Sequence, residues 1–145
     1  LTTCLLMVIT CIPAFAQDSK QHIQYYDDGS YIVETLTIDN PSINLYSLTK
    51  RGTRSKTYYS SDNIKQWSVT VTGTFSYGNG SSTCTASSVT AVSNTTDWAI
   101  SSKSSSKSGN TAKATATAIQ YLRGHEIQRK TLSTTLSCSS TGTLY

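Results

Sequence analysis

The chain has 145 residues, enough for one domain with a buried core and too few for two comfortable ones. Charged residues make up only 14%, the formal net charge is +4, and nine Tyr and two Trp stand among many Val and Ile, which excludes an intrinsically disordered chain. Ser and Thr supply about a third of the residues, a composition poor for helix and suited to strands with one solvated face.

Residues 1–16 (LTTCLLMVITCIPAFA) carry no charge. The apolar run from Leu5 to Pro13 is shorter than a membrane span, and Ala14-Phe15-Ala16 has the small-x-small pattern of a signal peptidase site. The expectation is an export signal cleaved after Ala16, a mature start at Gln17 and an extracellular location. The rival is a lipoprotein signal at Cys11, but Thr10 stands before it where a smaller residue is preferred. Cleavage removes Cys4 and Cys11 and leaves Cys84 and Cys138. In an oxidising compartment such a pair predicts a disulfide, which a loop of this length makes worth about 4 kcal/mol.

Residues 17–30 are polar and end in a turn at Tyr25-Tyr26-Asp27-Asp28-Gly29-Ser30. Residues 31–38 alternate, with Ile32, Glu34, Leu36 and Ile38 on one face, and Asn40-Pro41 stops the strand. Residues 49–57 (TKRGTRSKT) have no apolar periodicity and read as a basic loop, with Tyr58-Tyr59 opening the next strand. The chain thus divides into a front segment, 17–57, and a sandwich body, 58–145. The clearest strand is 65–77: Trp67, Val69, Val71, Phe75 and Tyr77 hold the odd positions and Ser or Thr the even ones from Ser68 to Ser76. Gly73 interrupts the apolar row, which predicts a bulge or a close neighbour.

Gly78-Asn79-Gly80 is a hairpin turn, and the return strand 81–92 carries Cys84. Residues 97–107 start at Asp97-Trp98 and run into a Ser/Lys tract. Ser108-Gly109-Asn110 turns the chain into 111–122, where Ala112, Ala114, Ala116 and Ala118 share a face. Arg123-Gly124 leads to a last strand, 125–138, and a small polar tail. Charge is uneven: over residues 17–49, Asp18, Asp27, Asp28, Glu34 and Asp39 stand against only Lys20, and the rest of the chain is basic. The two parts can attract each other, or the body can favour anionic surfaces.

Short strands with Gly/Asn turns predict an all-β antiparallel sandwich. The spacing of Cys84, Trp98 and Cys138 resembles the immunoglobulin fold and implies Trp98 packed on an inter-sheet disulfide, although Leu136 stands where a tyrosine corner has Tyr. DDGSY, WSVTVTGTFSYGNGSSTCT, W-x-I-S-S-K-S and SGNTAKATATA also resemble a set of small secreted proteins of Gram-positive gut bacteria. That resemblance implies export and an all-β fold, and it brings no catalytic residues.

Chemistry is sparsely marked. His125-Glu126 lacks the second histidine of a zinc motif, His22 is remote in sequence, and Asp27-Asp28-Gly29 lacks the spacing of a calcium loop. No serine lies in GxSxG and no carboxylate pair is suggestive. Sequons occur at Asn79-Gly80-Ser81 and Asn94-Thr95-Thr96. No catalytic residue, metal or cofactor is expected. The expected role is binding of an extracellular glycan or protein, without nucleic acid or membrane. The expected contact residues are Lys50, Arg51, Arg54 and Lys56, whose charge suits polyanions, with Tyr58 and Tyr59 as stacking groups. The alternatives are a membrane-acting effector using the 99–122 hairpin, and a small hydrolase that gathers His22 or His125 with a carboxylate.

Overall fold

A computed structural model describes residues 19–39 and 48–145, so the expected leader, its cleavage point and the Asn40-Pro41 stop lie outside the described residues. The described residues form eight strands: β1 (Ser19–Tyr25), β2 (Tyr31–Ile38), β3 (Thr49–Tyr59), β4 (Lys65–Gly78), β5 (Ser81–Ser93), β6 (Trp98–Ser108), β7 (Thr111–Leu122) and β8 (His125–Ser137). They make two antiparallel sheets, β1-β2-β3-β4-β5 and β6-β7-β8, packed over a common core. The expected all-β antiparallel architecture is present.

The immunoglobulin-like topology is not. Strand order follows chain order in both sheets, and the chain changes sheet once, from β5 to β6. An immunoglobulin fold needs Greek-key connections that cross between sheets repeatedly. The reason lies in the turns. Asn79 and Arg123 take φ of 50° and 51°, left-handed conformations that fold each strand back onto its immediate neighbour, so consecutive strands pair as hairpins.

The core sits between β4 and β7. Trp67, Val69, Val71 and Phe75 are fully buried, and they meet a row of small residues, Ala112, Ala114, Ala116 and Ala118, equally buried. Large side chains on one sheet interdigitate with small ones on the other, so the alanine face of the 99–122 hairpin is occupied inside the domain. Leu132 and Leu136 of β8 complete the layer. Gly73 shows both features expected of it. The ladder shifts register between Thr74 and Phe75, and a Cβ on Gly73 would lie 2.6 Å from the Phe75 ring and 3.1 Å from the Ala112 Cβ.

The stretch expected as a basic loop is β3, an inner strand of the five-stranded sheet. The boundary expected between 57 and 58 therefore falls inside a strand, and the front segment supplies two more strands of the same sheet. Cations hid the alternation. Gly52, Arg54, Lys56 and Tyr58 share the inner face, and the acids of the front segment match them in register: Glu34 pairs with Lys56, next to Arg54, while Asp39 meets Arg51 at 3.4 Å on the other face. The tail is not merely polar. Leu144 is buried and bridges back to Cys138. It lies over Gly52, where an added Cβ would come within 2.5 Å of the leucine.

The Cys84–Cys138 disulfide is absent: both residues are buried free thiols. They flank one turn, Cys84 N–H donating to Gly109 O and Cys138 N–H to Asn110 O. Their sulfurs turn to local carbonyls instead, Ala86 for Cys84 and Ser139 for Cys138. Nor does Trp98 pack on them. Trp98 pairs with Gln120 at one end of β7, and the two cysteines lie by the turn at the other. Burial raises both thiol pKa values, opposed by Lys107 near Cys84 and by Lys50 near Cys138. Buried, protonated thiols are inert to oxidants, which suits them to any compartment. The stability linked to these protonated thiols is full below the ordinary thiol pKa and is lost as pH rises past it and through the raised values of the folded state. For a chain beginning at Gln17, which retains only Cys84 and Cys138, the expected result with a thiol-specific chromogenic disulfide at pH 7.5 is two reactive groups in denaturant and almost none in native buffer. Two groups titrating fast in native buffer would refute the buried arrangement.

Candidate ligand-binding site

One end of the sandwich gathers aromatic rings because three strands place tyrosine at the same level. The antiparallel register sets Tyr25 of β1 opposite Tyr31 of β2, and Tyr31 opposite Tyr59 of β3. Their neighbours Ile32 and Tyr58 point into the core, so the three rings stand on the outer face. Tyr31 and Tyr59 stack at 4.9 Å and 4° between planes, and Tyr25 extends the row at 5.4 Å and 41°. The row ends openly, with Tyr25 69% exposed. Behind it, on the inner face, Tyr58 meets Trp98 edge-on at 5.7 Å, and Trp98 lies 6.2 Å from Trp67. The Lys130 ammonium of β8 sits 3.9 Å from the ring centroids of both Tyr26 and Tyr58.

Above these rings opens a cleft of ≈ 290 Å³ with Tyr58 and Trp98 at its base and Asp28, Asp62, Asp97, Gln66 and Gln120 around it. Local backbone irregularities aim each polar group. A bulge between β3 and β4 leaves Gln66 without a partner on β3 and turns it toward the cleft. Asp97 lies on the β5–β6 connection and accepts a 2.9 Å bond from Gln120 Nε2. That bond, then a second from the Thr95 hydroxyl, holds the Asp97 carboxyl below the usual range. Asp28 is held low chiefly by the Ser30 hydroxyl at 2.6 Å and then by the Ser30 N–H at 3.0 Å. Two rim carboxylates are thus fixed acceptors at neutral pH. The turn at 60–64 joins cleft to ladder: Ser60 and Asp62 line the cleft, and Asn63 accepts the Tyr31 hydroxyl at 3.2 Å.

The contact residues expected from sequence do not form one surface, because a strand alternates its faces. Lys50, Arg54, Lys56 and Tyr58 share the inner face, while Arg51 and Tyr59 lie on the outer one. Tyr58 and Tyr59 do reach the aromatic end, one at the base of the cleft and one in the ladder. Lys50 lies at the far end, near Cys138. His22 is on β1 and His125 is exposed at the start of β8 in the other sheet. Among the described residues, no three His, Cys, Asp or Glu side chains gather as metal ligands do. Tyr31 and Trp98 also stand at this end and were not among the expected contact residues, and Tyr31 was within reach. A tight turn at 26–30 between two strands places Tyr25 opposite Tyr31.

No protein-family model, curated protein or solved structure matches the chain.

Proposed function

We propose that the protein is an exported, non-enzymatic carbohydrate-binding β-sandwich whose ligand runs across the aromatic end. The observation that carries this reading is the outer-face row Tyr25–Tyr31–Tyr59, exposed at Tyr25 and half-buried at Tyr31 and Tyr59, beside a cleft of carboxylates and amides with aromatic rings at its base. Sugars offer two recognisable surfaces, C–H faces that stack on aromatic rings and hydroxyls that donate to fixed acceptors. Tyr25 supplies an open ring face. Asp28 and Asp97 supply ionised acceptors, and Gln66 and Gln120 add groups that both donate and accept. Hydrogen bonds hold the Asp28 and Asp97 carboxyls below the usual range, in the ionised form that accepts from sugar hydroxyls. The alternating Ser/Thr faces and the apolar leader with its Ala14-Phe15-Ala16 site support an extracellular setting.

The test is a glycan array read with the parent chain and two variants, Tyr25→Ala and Asp97→Asn. Each variant is expected to weaken retention of the parent's ligand about ten-fold, the scale of losing one ring or charge-assisted contact. Undiminished retention by both variants would place the ligand elsewhere. Absence of any glycan ligand, together with a protein partner lost in Tyr25→Ala, would make this end a protein-docking surface and overturn the carbohydrate reading.

A further inference from the structure

The outer face of the five-stranded sheet continues past the tyrosine row as a grid of hydroxyls. The row in register next to Tyr31 and Tyr59 is Val33–Thr57–Ser68–Val92. The next is Thr35–Ser55–Thr70–Thr90, and the third is Thr37–Thr53–Thr72–Ser88. The alternate residues Trp67, Val69 and Val71 are buried in the core, so these rows point outward, half-buried on β2, β3 and β4 and exposed on β5. Register sets the spacing, about 4.8 Å between strands and about 6.8 Å between rows.

Two features set this face apart. The first is charge. The solvated surface of a small domain is ordinarily about 25–35% charged, yet no position in the three rows carries a charge. Charge returns at the border beyond the third row, where Arg51 and Asp39 pair with each other at 3.4 Å. The second is hydrogen bonding. On the outer face of the other sheet, Thr111 meets the Ser137 hydroxyl at 2.7 Å, Thr115 meets Ser133 at 2.8 Å and Thr117 meets Thr131 at 2.8 Å. Among the described residues, no such bond joins the facing hydroxyls of the three rows on β2, β3, β4 and β5. Each of these hydroxyls keeps its donor and its acceptor lone pairs for something outside the chain.

The chemistry of the rows selects the partner. A polyanion needs cations, and the rows have none. The core of a protein interface is rich in aromatic residues, Met and Arg and poor in Ser, the reverse of this face. A bilayer needs apolar side chains to bury, and the rows offer Val33 and Val92 alone. A neutral polysaccharide fits, because its hydroxyls also donate and accept and neither side has a charge to desolvate. A single chain would use one row, whereas this grid repeats in two directions. We infer that the outer face docks on an uncharged, insoluble polysaccharide whose chains lie side by side, with the tyrosine row on one chain and the hydroxyl rows on its neighbours. This rests on the carbohydrate reading above and goes beyond it in naming neutral, packed chains. Adjacent strands turn by about 20–25°, so the contact is widest over the inner strands β3 and β4.

The test is sedimentation of the full chain with microcrystalline cellulose, crystalline chitin and raw starch granules, set beside the array of soluble glycans. Adsorption to at least one of these particles is expected, and it persists in about 1 M salt because no charge contributes. Thr70→Glu and Thr70→Lys, in the middle row on β4, are each expected to weaken adsorption at least ten-fold, since a charge of either sign must be desolvated. Thr135→Glu, the same change at an exposed position on the outer face of the other sheet, is expected to leave adsorption unchanged. Both Thr70 variants are expected to keep the soluble glycan held at the aromatic end. Using both signs keeps the test decisive if one variant fails to fold. Parent-like adsorption by a folded Thr70 variant, an equal loss in Thr135→Glu, or release by salt would overturn the inference and leave the carbohydrate reading standing. A parent that binds soluble glycans and none of the three particles would do the same. A parent that binds neither would overturn both.

Discussion

Gly73→Ala is expected to destabilise the protein by about 3 kcal/mol, the upper part of the range for overpacking a core. The added methyl has nowhere to go. It would meet two atoms of the Phe75 ring at 2.6 and 2.7 Å and the Ala112 Cβ at 3.1 Å. Phe75 is fully buried and cannot swing into solvent, and Ala112 belongs to the facing sheet. Relief therefore requires the sheets to part or the ring to leave its rotamer. The clash predicts its own remedy. In urea denaturation, Gly73→Ala combined with Phe75→Leu is expected to lose less stability than the two single changes together, because leucine withdraws the ring atoms that the methyl strikes. Strict additivity would mean that the glycine is there for its backbone alone and not for the ring above it.

Gly73 also shows what the sequence reveals and what it conceals. A break in an otherwise perfect apolar row is visible in one dimension, and its two expected causes are both present. Strand β2 was legible for the same reason, since Ile32, Leu36 and Ile38 alternate with solvated residues. Strand β3 was not, because its inner face carries Gly52, Arg54 and Lys56. Those residues satisfy the pleat only when Glu34 stands beside the cations and Leu144 covers the glycine. Such matches join distant parts of the chain, and no local pattern records them. The opposed charges of residues 17–49 and of the chain after them were readable as an attraction, and the ion pairs of Glu34 and Asp39 with Arg51, Arg54 and Lys56 realise it between β2 and β3. The aromatic site was half legible. Tyr58 and Tyr59 were visible as a pair, but the partners of each depend on cross-strand register. Spacing misled most at Cys84, Trp98 and Cys138. It matches a two-sheet clasp, yet the hairpin turns lay the strands out as a meander and put the tryptophan and the thiols at opposite ends.

That separation makes Trp98→Ala the second large effect. Trp98 is 4% exposed, packs edge-on to Tyr58 and lies against Trp67, and its carbonyl accepts the Ser93 hydroxyl at 2.7 Å. Truncation leaves a ring-sized void where the sheets meet, and the expected loss is about 4 kcal/mol. Trp98→Phe keeps an aromatic wedge and is expected to cost about half as much. A tryptophan that only braced a disulfide would make the parent's stability depend on oxidation. Here the parent's urea midpoint is expected to be the same with and without reductant, while Trp98→Ala shifts it strongly in both. The substitution also removes the support beneath Tyr58, and with it the base of the cleft. Glycan affinity is therefore expected to fall in Trp98→Ala even at temperatures where it remains folded, whereas Leu136→Ala, at the far end of the core, lowers stability and leaves affinity intact. Equal affinity in both variants would separate the cleft from the ligand. A reductant-sensitive midpoint would restore the covalent clasp and displace the aromatic cluster as the anchor of this end.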